Sequence, residues 1–333
     1  MAHKLAISVD WQGKFDLARI IERVQIADAV GVDSVWIAEA WGRDCFTLLA
    51  LLADRTKRIR LGTGIVNVYS RTPAALAQHF ATLDELSGGR MIAGFGTSGI
   101  QVIEHFHGVK FEPSLTRMKE VIEIFNTLLR HEPLTYHGKL FTLERGFTLR
   151  FAPVRPHIPI HLATLNPKAL ALTASLADGW LPVMIPIDQL GAEIAAMHAR
   201  ISAAGRDPGA FEIHAPGGVV VASGEARQRA EMAQAGTTAF YIGRMGVYYA
   251  RQLERFGFGA EVAAVKDAWQ QGSAAAVAAV PPAMRKRLGC VGDVEECRER
   301  IAAEAAAGAA IHRVNVATDD MKQYGATLER LLK

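Results

Sequence analysis

The chain has 333 residues, half of them apolar and 21% charged, so it buries a large core as one α/β domain or two smaller ones. The formal net charge is +3 and the basic residues are scattered, which argues against nucleic acid or an anionic membrane as the main partner and leaves a small molecule as the default ligand. Cys45, Cys290 and Cys297 are too few and too unevenly spaced for a disulfide framework or a four-ligand zinc site, and no stretch reads as a signal peptide or membrane span, so a cytoplasmic setting is expected.

Short β-rich runs alternate with segments of helical period. KLAISV (4–9) precedes a helix in which Phe15, Leu17, Ile20, Ile21, Val24, Ile26 and Ala27 return to one side, ended by Gly31. The cycle repeats with SVWIAE (34–39) before 44–55, RIRLGTG (58–64) before 73–86, and RMIAGFG (90–96) before a helix from Pro113 to Arg130. The stretch 132–156 breaks this rhythm with β-like runs around His137-Gly138 and Arg145-Gly146, and reads as an inserted hairpin.

Alternation resumes with HIPIHLAT (157–164) before 167–176, GWLPVM (179–184) before 187–203, and EIHAPGGVVVA (212–222) before 224–234. The last strand is HRVNVAT (312–318), followed by a helix to the end, and extra helices must fill the segment before it. Apolar strands separated by helices imply a parallel sheet covered on its outside, and eight such units favour closure into a (β/α)8 TIM barrel over an open sheet. The expectation is one barrel domain over 1–333 with insertions at about 132–156 and 235–290. In such barrels the reacting groups stand at the C-terminal ends of the strands.

The first strand ends in Ser8-Val9-Asp10, where Asp10 is either a proton donor or substrate-binding carboxylate, or an ordinary loop aspartate. The second ends in WIAEAWGRD, which puts Glu39 and Trp41 at the mouth, suited to gripping an aromatic cofactor or a substrate amine, while Trp36 reads as core. After the third comes GTGIVNVYSRTP (62–73): Gly62 and Gly64 bracket a point of bulge or close ligand approach, or only a tight turn, and polar Asn67, Tyr69 and Ser70 follow. The fourth ends in GFGTSG (94–99), a literal G-x-G-x-x-G, which raises a Rossmann dinucleotide site as a rival. In the barrel reading, Gly96, Thr97 and Ser98 offer backbone and hydroxyl donors to a phosphate. The fifth ends in ATLNPK (163–168), where a helix opens at Pro167 behind Thr164 and Asn166, either an anion site or a plain N-cap. His105-Phe106-His107 is the sequence's His-x-His; it lies in a loop-like stretch and is read as solvated or structural, with no metal site expected.

The segments GVDSVWIAEAWGRD (31–44), RIRLGTGIVNVYSRTPAALAQHFATLDELSGGRMIAGFG (58–96), PSLTRMKEVIEIF (113–125), PIHLATLNPKALALTASLADGWL (159–181) and CVGDVEECRERI (290–301) resemble the luciferase-like superfamily of flavin and deazaflavin oxidoreductases. They are most similar to its branch containing methylene-tetrahydromethanopterin reductase. The resemblance implies that Gly64 and Ile65 form the bulge supporting the cofactor's central ring, where the family often has a non-proline cis peptide. It also implies that Thr97, Ser98, Ala163, Thr164, Leu165 and Asn166 line the phosphate and ribityl site, that Glu39 is the acid of the second strand, and that Trp41 packs a ring. Many flavin-using members carry His after that acid, where this chain has Ala40, and the reductase branch has an acid near Ser8, which leaves Asp10 as a substitute. The implied chemistry is hydride transfer between coenzyme F420 and a small or pterin-like substrate, in a homodimer. Two alternatives are an FMN-dependent monooxygenase fed by a partner flavin reductase, and a barrel that binds flavin or pterin without catalysis.

Overall fold

The computed structural model describes residues 3–9 and 15–333. In chain order these form β1 (Lys4–Val9), α1 (Leu17–Val30), β2 (Ser34–Ile37), α2 (Cys45–Arg55), β3 (Arg60–Thr63), β4 (Val66–Asn67), α3 (Pro73–Ser87), β5 (Met91–Gly96), α4 (Ile100–His105) and α5 (Ser114–Leu129). There follow β6 (Leu134–His137), β7 (Thr142–Phe147), β8 (Ile160–Ala163), α6 (Pro167–Leu176), β9 (Gly179–Trp180), α7 (Ile187–Ala203), β10 (Glu212–Ile213) and β11 (Val219–Val221). The chain ends with α8 (Gly224–Arg244), α9 (Val247–Arg255), α10 (Gly259–Ala268), α11 (Ser273–Ala278), α12 (Pro282–Leu288), β12 (Cys290–Gly292), α13 (Val294–Ala306), β13 (Ile311–Val316) and α14 (Met321–Leu332). It is an α/β fold on parallel strands. Two compact units result: an N-terminal unit of Ser8–Thr164 with Ala171–Trp180, and a C-terminal unit of the segment through Ile7, Leu165–Leu170 and Leu181–Lys333.

In the N-terminal unit the strand order is β9-β8-β5-β3-β2, with β4 also on β5, and every one of these pairings is parallel. β2 and β5 are buried along their whole length, as strands covered by helices must be. Local chemistry sets the helix ends: the Asp16 carboxylate accepts the Arg19 amide at the start of α1, and Gly31, at φ 95°, ends it where a side chain would be strained. Phe80 of α3, Phe95 of β5 and Phe125 of α5 meet edge to face at 5.3–5.6 Å, and all three are fully buried.

The inserted hairpin is present as antiparallel β6 and β7, but its turn lies at 138–141. The β-like run expected around Arg145 and Gly146 is β7. The turn is set by Glu120 of α5, whose carboxylate accepts the amides of Lys139, Leu140 and Phe141 at 2.6–3.1 Å. A carboxylate 19 residues away fixes that turn, and the local sequence does not reveal it.

In the C-terminal unit β1 lies beside β13, β13 beside β11 and β11 beside β12, all parallel. β12 was not expected; at three residues it is too short to show a period of two. Its end is marked by a capping box, in which Asp293 accepts the Glu296 amide and Glu296 accepts the Asp293 amide. α8 continues through position 235, so the extra helical content begins within that helix and runs through α9 to α12. No helix among the described residues is long and apolar enough to cross a membrane.

Candidate functional site

The N-terminal unit's strand ends are built on close contacts that admit only glycine. A Cβ on Gly94 would stand 1.7 Å from the Thr63 carbonyl oxygen, and one on Gly62 would stand 2.6 Å from the Trp36 ring. Thr63 closes the same gap from its side: its hydroxyl donates to the Gly94 carbonyl at 2.7 Å and accepts the Gly94 amide at 2.9 Å. Of the nominal phosphate motif, Gly94 is therefore spent on strand packing and Gly96 still lies within β5, while Gly99 precedes only the six-residue α4. This removes the Rossmann rival, whose first glycines must open a strand-to-helix turn. Trp36 is core, as expected, 5% exposed and 5.5 Å from the buried His161 ring.

Between β3 and β4 the Gly64-Ile65 peptide is cis. The Gly64 amide donates to the Ile37 carbonyl at 2.8 Å and the Glu39 amide to the Ile65 carbonyl at 2.9 Å, so the ends of β2 and β3 are tied together there. Ile65 also packs over Gly96, where a Cβ would meet its side chain at 2.9 Å. Asn67 lies beside Gly96, and Gly96 beside Ala163, in successive parallel registers. Glu39, Gly64, Ile65, Asn67, Gly96 and Ala163, far apart in the chain, thus form one patch. Within it Thr63, Val66 and Asn67 are sealed, while Gly64, Ile65, Thr97, Ser98 and Ala163 keep partial access to solvent.

Asn67 works on the backbone: its side-chain oxygen accepts the amides of Tyr69 at 3.0 Å and Ser70 at 2.7 Å, and its amide nitrogen lies 3.5 Å from His107 Nε2. Tyr69 donates its hydroxyl to the Phe111 carbonyl at 2.5 Å and stacks on that ring, and burial pushes its pKa up. Arg117 caps the Tyr69 ring at 4.9 Å.

The turn held by Asn67 delivers Arg71, a residue the sequence reading passed over. Arg71 Nη1 and Nη2 donate to the two Glu39 oxygens at 2.6 and 3.1 Å, and Nη2 also reaches Asp44 at 2.5 Å. Glu39, 8% exposed, accepts a further bond from the Cys45 amide at 3.0 Å. Arg71 lies 4.7 Å above Phe46, whose other contacts include the stacked His79 ring. Burial opposes charge on Arg71, but the Glu39 carboxylate overrides it and raises its pKa; Asp44 is lowered against burial by its bonds from Thr47 and by Arg71. The available signal was a lone cation at the end of a long loop after β4.

The other expected residues are placed as follows. Trp41 is 42% exposed two residues beyond Glu39. Thr97 donates its hydroxyl to the Ser98 carbonyl at 3.3 Å, and Ser98 takes the left-handed backbone, φ 56°. Thr164 is buried, its hydroxyl 2.7 Å from that of Thr173 and its carbonyl accepting the Trp180 indole N–H at 3.0 Å. Leu165 and Asn166 belong to the C-terminal unit, where Asn166 accepts the Ala169 amide at 2.9 Å and opens α6 as an N-cap. Asp10 lies outside the described residues. His105 ends α4, and the described residues hold no cluster of three or more His, Cys, Asp or Glu fit for a metal.

The patch offers a partly accessible apolar surface at Gly64-Ile65 and the hydroxyl-bearing residues Thr97 and Ser98, also partly accessible, a mix suited to a small-molecule ligand. The model of the luciferase-like monooxygenase family matches residues 4–310. A Mycobacterium tuberculosis protein provisionally described as a coenzyme F420-dependent oxidoreductase is 33% identical over 323 residues, 92% of each chain. A 5,10-methylenetetrahydromethanopterin reductase of Archaeoglobus fulgidus is 36% identical over 159 residues, 47% of each chain. The structure of the coenzyme F420-dependent tetrahydromethanopterin reductase from Methanopyrus kandleri superposes with a TM-score of 0.81 at 20% identity, covering 99% of this chain and 98% of that one, a likeness of fold.

Proposed function

The chain belongs to the luciferase-like monooxygenase family, and on that premise we propose that it is an enzyme that uses the deazaflavin coenzyme F420 to move a hydride to or from a small or pterin-like substrate. The observation that carries this reading is the 33% identity, over nine-tenths of both chains, to a relative described as F420-dependent. A (β/α)8 barrel is part of the same proposal, supported by the alternation of parallel strands and helices and by the whole-chain fold likeness.

Bound F420 supplies a two-electron carrier; the protein supplies position. Gly64 and Ile65 are assigned to the ring, with Trp41 packing beside it, and Thr97, Ser98, Gly96, Ala163 and Thr164 to the polar chain. The accessible Gly64-Ile65 surface and adjoining hydroxyls fit such a group. Asn67 holds the loop that carries Arg71. Glu39 has both oxygens occupied by Arg71 and the Cys45 amide, so its proposed role in the reaction is positional, through the Ile65 strand end. Asp10 is the proposed proton donor.

The test is direct titration of the purified chain with reduced F420 and, separately, with reduced FMN. Saturable binding of the deazaflavin is expected. Tight binding of reduced FMN with none of F420, accompanied by substrate-dependent oxygen consumption, overturns the reading in favour of the monooxygenase. Asp10→Ala is expected to slow turnover with cofactor affinity unchanged, and unaltered turnover removes Asp10 from the reaction.

A further inference from the structure

The capping box at Asp293 joins β12 to α13, and a cysteine stands on either side of it: Cys290 opens β12 and Cys297 lies in the first turn of α13. Alternation along β12 puts Cys290 and Gly292 on one face. That face is the one α13 covers, since a Cβ on Gly292 would stand 2.8 Å from the Glu296 Cβ and 2.5 Å from its carboxylate.

The two sulfurs are brought together by this packing. Cys290 Sγ lies 3.8 Å from the carbonyl oxygen of Glu296, whose peptide bond leads straight into Cys297. Cys297 Sγ lies 3.7 Å from the carbonyl oxygen of Gly292, two residues beyond Cys290, and 3.5 Å from that of Val220 on the adjoining β11. Each sulfur thus rests on backbone close to the other cysteine, and both are free thiols in hydrogen-bond contact.

They differ in access. Cys297 is fully buried, whereas Cys290 is half-buried and within reach of a small solute. Cys45, the remaining cysteine, is fully buried in the N-terminal unit. The hydrogen bond from the Cys297 thiol holds Cys290 below the ordinary thiol value despite burial, and the Arg300 charge acts the same way. A reachable sulfur beside a shielded second thiol is the arrangement in which oxidation of the first is captured by the second.

We propose that Cys290 and Cys297 form a reversible oxidation site, in which hydrogen peroxide oxidises Cys290 and Cys297 then closes the pair into a disulfide that clips β12 to α13. The Cys290 sulfur, as thiolate, attacks one peroxide oxygen and the O–O bond breaks; the released hydroxide takes up the proton the thiol gave up, leaving water and a sulfenic acid. The Cys297 sulfur attacks the Cys290 sulfur, the S–O bond breaks, and the departing hydroxide leaves as a second water with the Cys297 proton. Two thiols and one peroxide give one disulfide and two waters, the sulfur pair giving up the two electrons that the peroxide accepts. The inference stands on the C-terminal unit alone and does not depend on the cofactor assignment.

Hydrogen peroxide added to the full chain, followed by alkylation, trypsin and mass measurement, tests it. The tryptic peptide Leu288–Arg298 carries both cysteines. After peroxide it is expected to lose the mass of two hydrogens and to refuse alkylation, and after dithiothreitol to accept two alkyl groups again. Cys297→Ser is expected to stop at a sulfenic acid on Cys290, trapped by dimedone, and Cys290→Ser to slow oxidation of Cys297 about tenfold or more. Two alkylated cysteines in the wild-type peptide, after an exposure that oxidises free cysteine in a parallel sample, overturn the site. So does a sulfinic or sulfonic acid on Cys290 with Cys297 still alkylated, or a disulfide to Cys45 instead. These readings come from the wild type and hold whether or not the variants fold; an equal oxidation rate in a folded Cys290→Ser overturns the site as well.

Discussion

Arg71 and Arg313 are both cations held in protein-rich surroundings, one in each unit, and they differ in what answers them. Arg71 meets two carboxylates and a ring, and its hydrogen bonds hold Glu39 and Asp44 beside the end of β2. Arg313, exposed on β13, has no ion-pairing carboxylate among the described residues, and only the charges of Tyr241 and Glu304 act on it. The first arrangement is complete without a ligand, so its work is structural. The second has no ion pair to lose, so the fold should not depend on it. Removing each arginine in turn is the sharpest way to break this contrast.

Arg71→Met carries the largest expected effect. It leaves Glu39, 8% exposed, with an uncompensated carboxylate held against the Cys45 amide. Loss of one partner of a buried pair costs about 3–5 kcal/mol. Urea unfolding should show a correspondingly lower midpoint with the slope retained. A loss below about 1 kcal/mol, the usual worth of a surface pair, would mean that Arg71 is no anchor.

Acid should expose the same asymmetry at smaller amplitude. Burial raises the Asp28 pKa, but the amides of Lys57, Ile59 and Arg58, with the Arg58 charge, outweigh it and hold the carboxyl below its ordinary value. A carboxyl depressed by folding stabilises the fold at any pH above its unfolded value, about 3.9, and that stability is lost as pH falls through the folded value. Unfolding midpoints should therefore drop below pH ~4 in the wild type and drop less steeply in Asp28→Asn. Arg313→Gln should leave this acid limb unchanged, since arginine keeps its charge throughout. A slope identical in Asp28→Asn and wild type would remove Asp28 from the acid response.

Legibility from sequence follows the same division between local and distant causes. Periodicity located the strands and helices because burial of a covered parallel sheet writes itself into consecutive residues. The strand-end glycines marked where the patch would be, but their reason did not show: the partners of Gly94 and Gly62 are Thr63 and Trp36, set in place by the pairing of β3 with β5 and with β2. Arg71 was missed for a similar cause, its partners lying 32 and 27 positions away. Arg313 was in plain view within HRVNVAT, a charged residue at a strand position where the barrel pattern expects an apolar one.

Arg313→Gln is accordingly the smallest expected change in stability and the one that decides the contrast. Its side chain is exposed and outside any ion pair among the described residues, so replacing it with a neutral amide should leave the unfolding free energy within about 0.5 kcal/mol of wild type. A loss above about 2 kcal/mol would place a structural partner on Arg313, making it a second Arg71. Stability retained separates an exposed strand residue from an anchor of the fold such as Arg71.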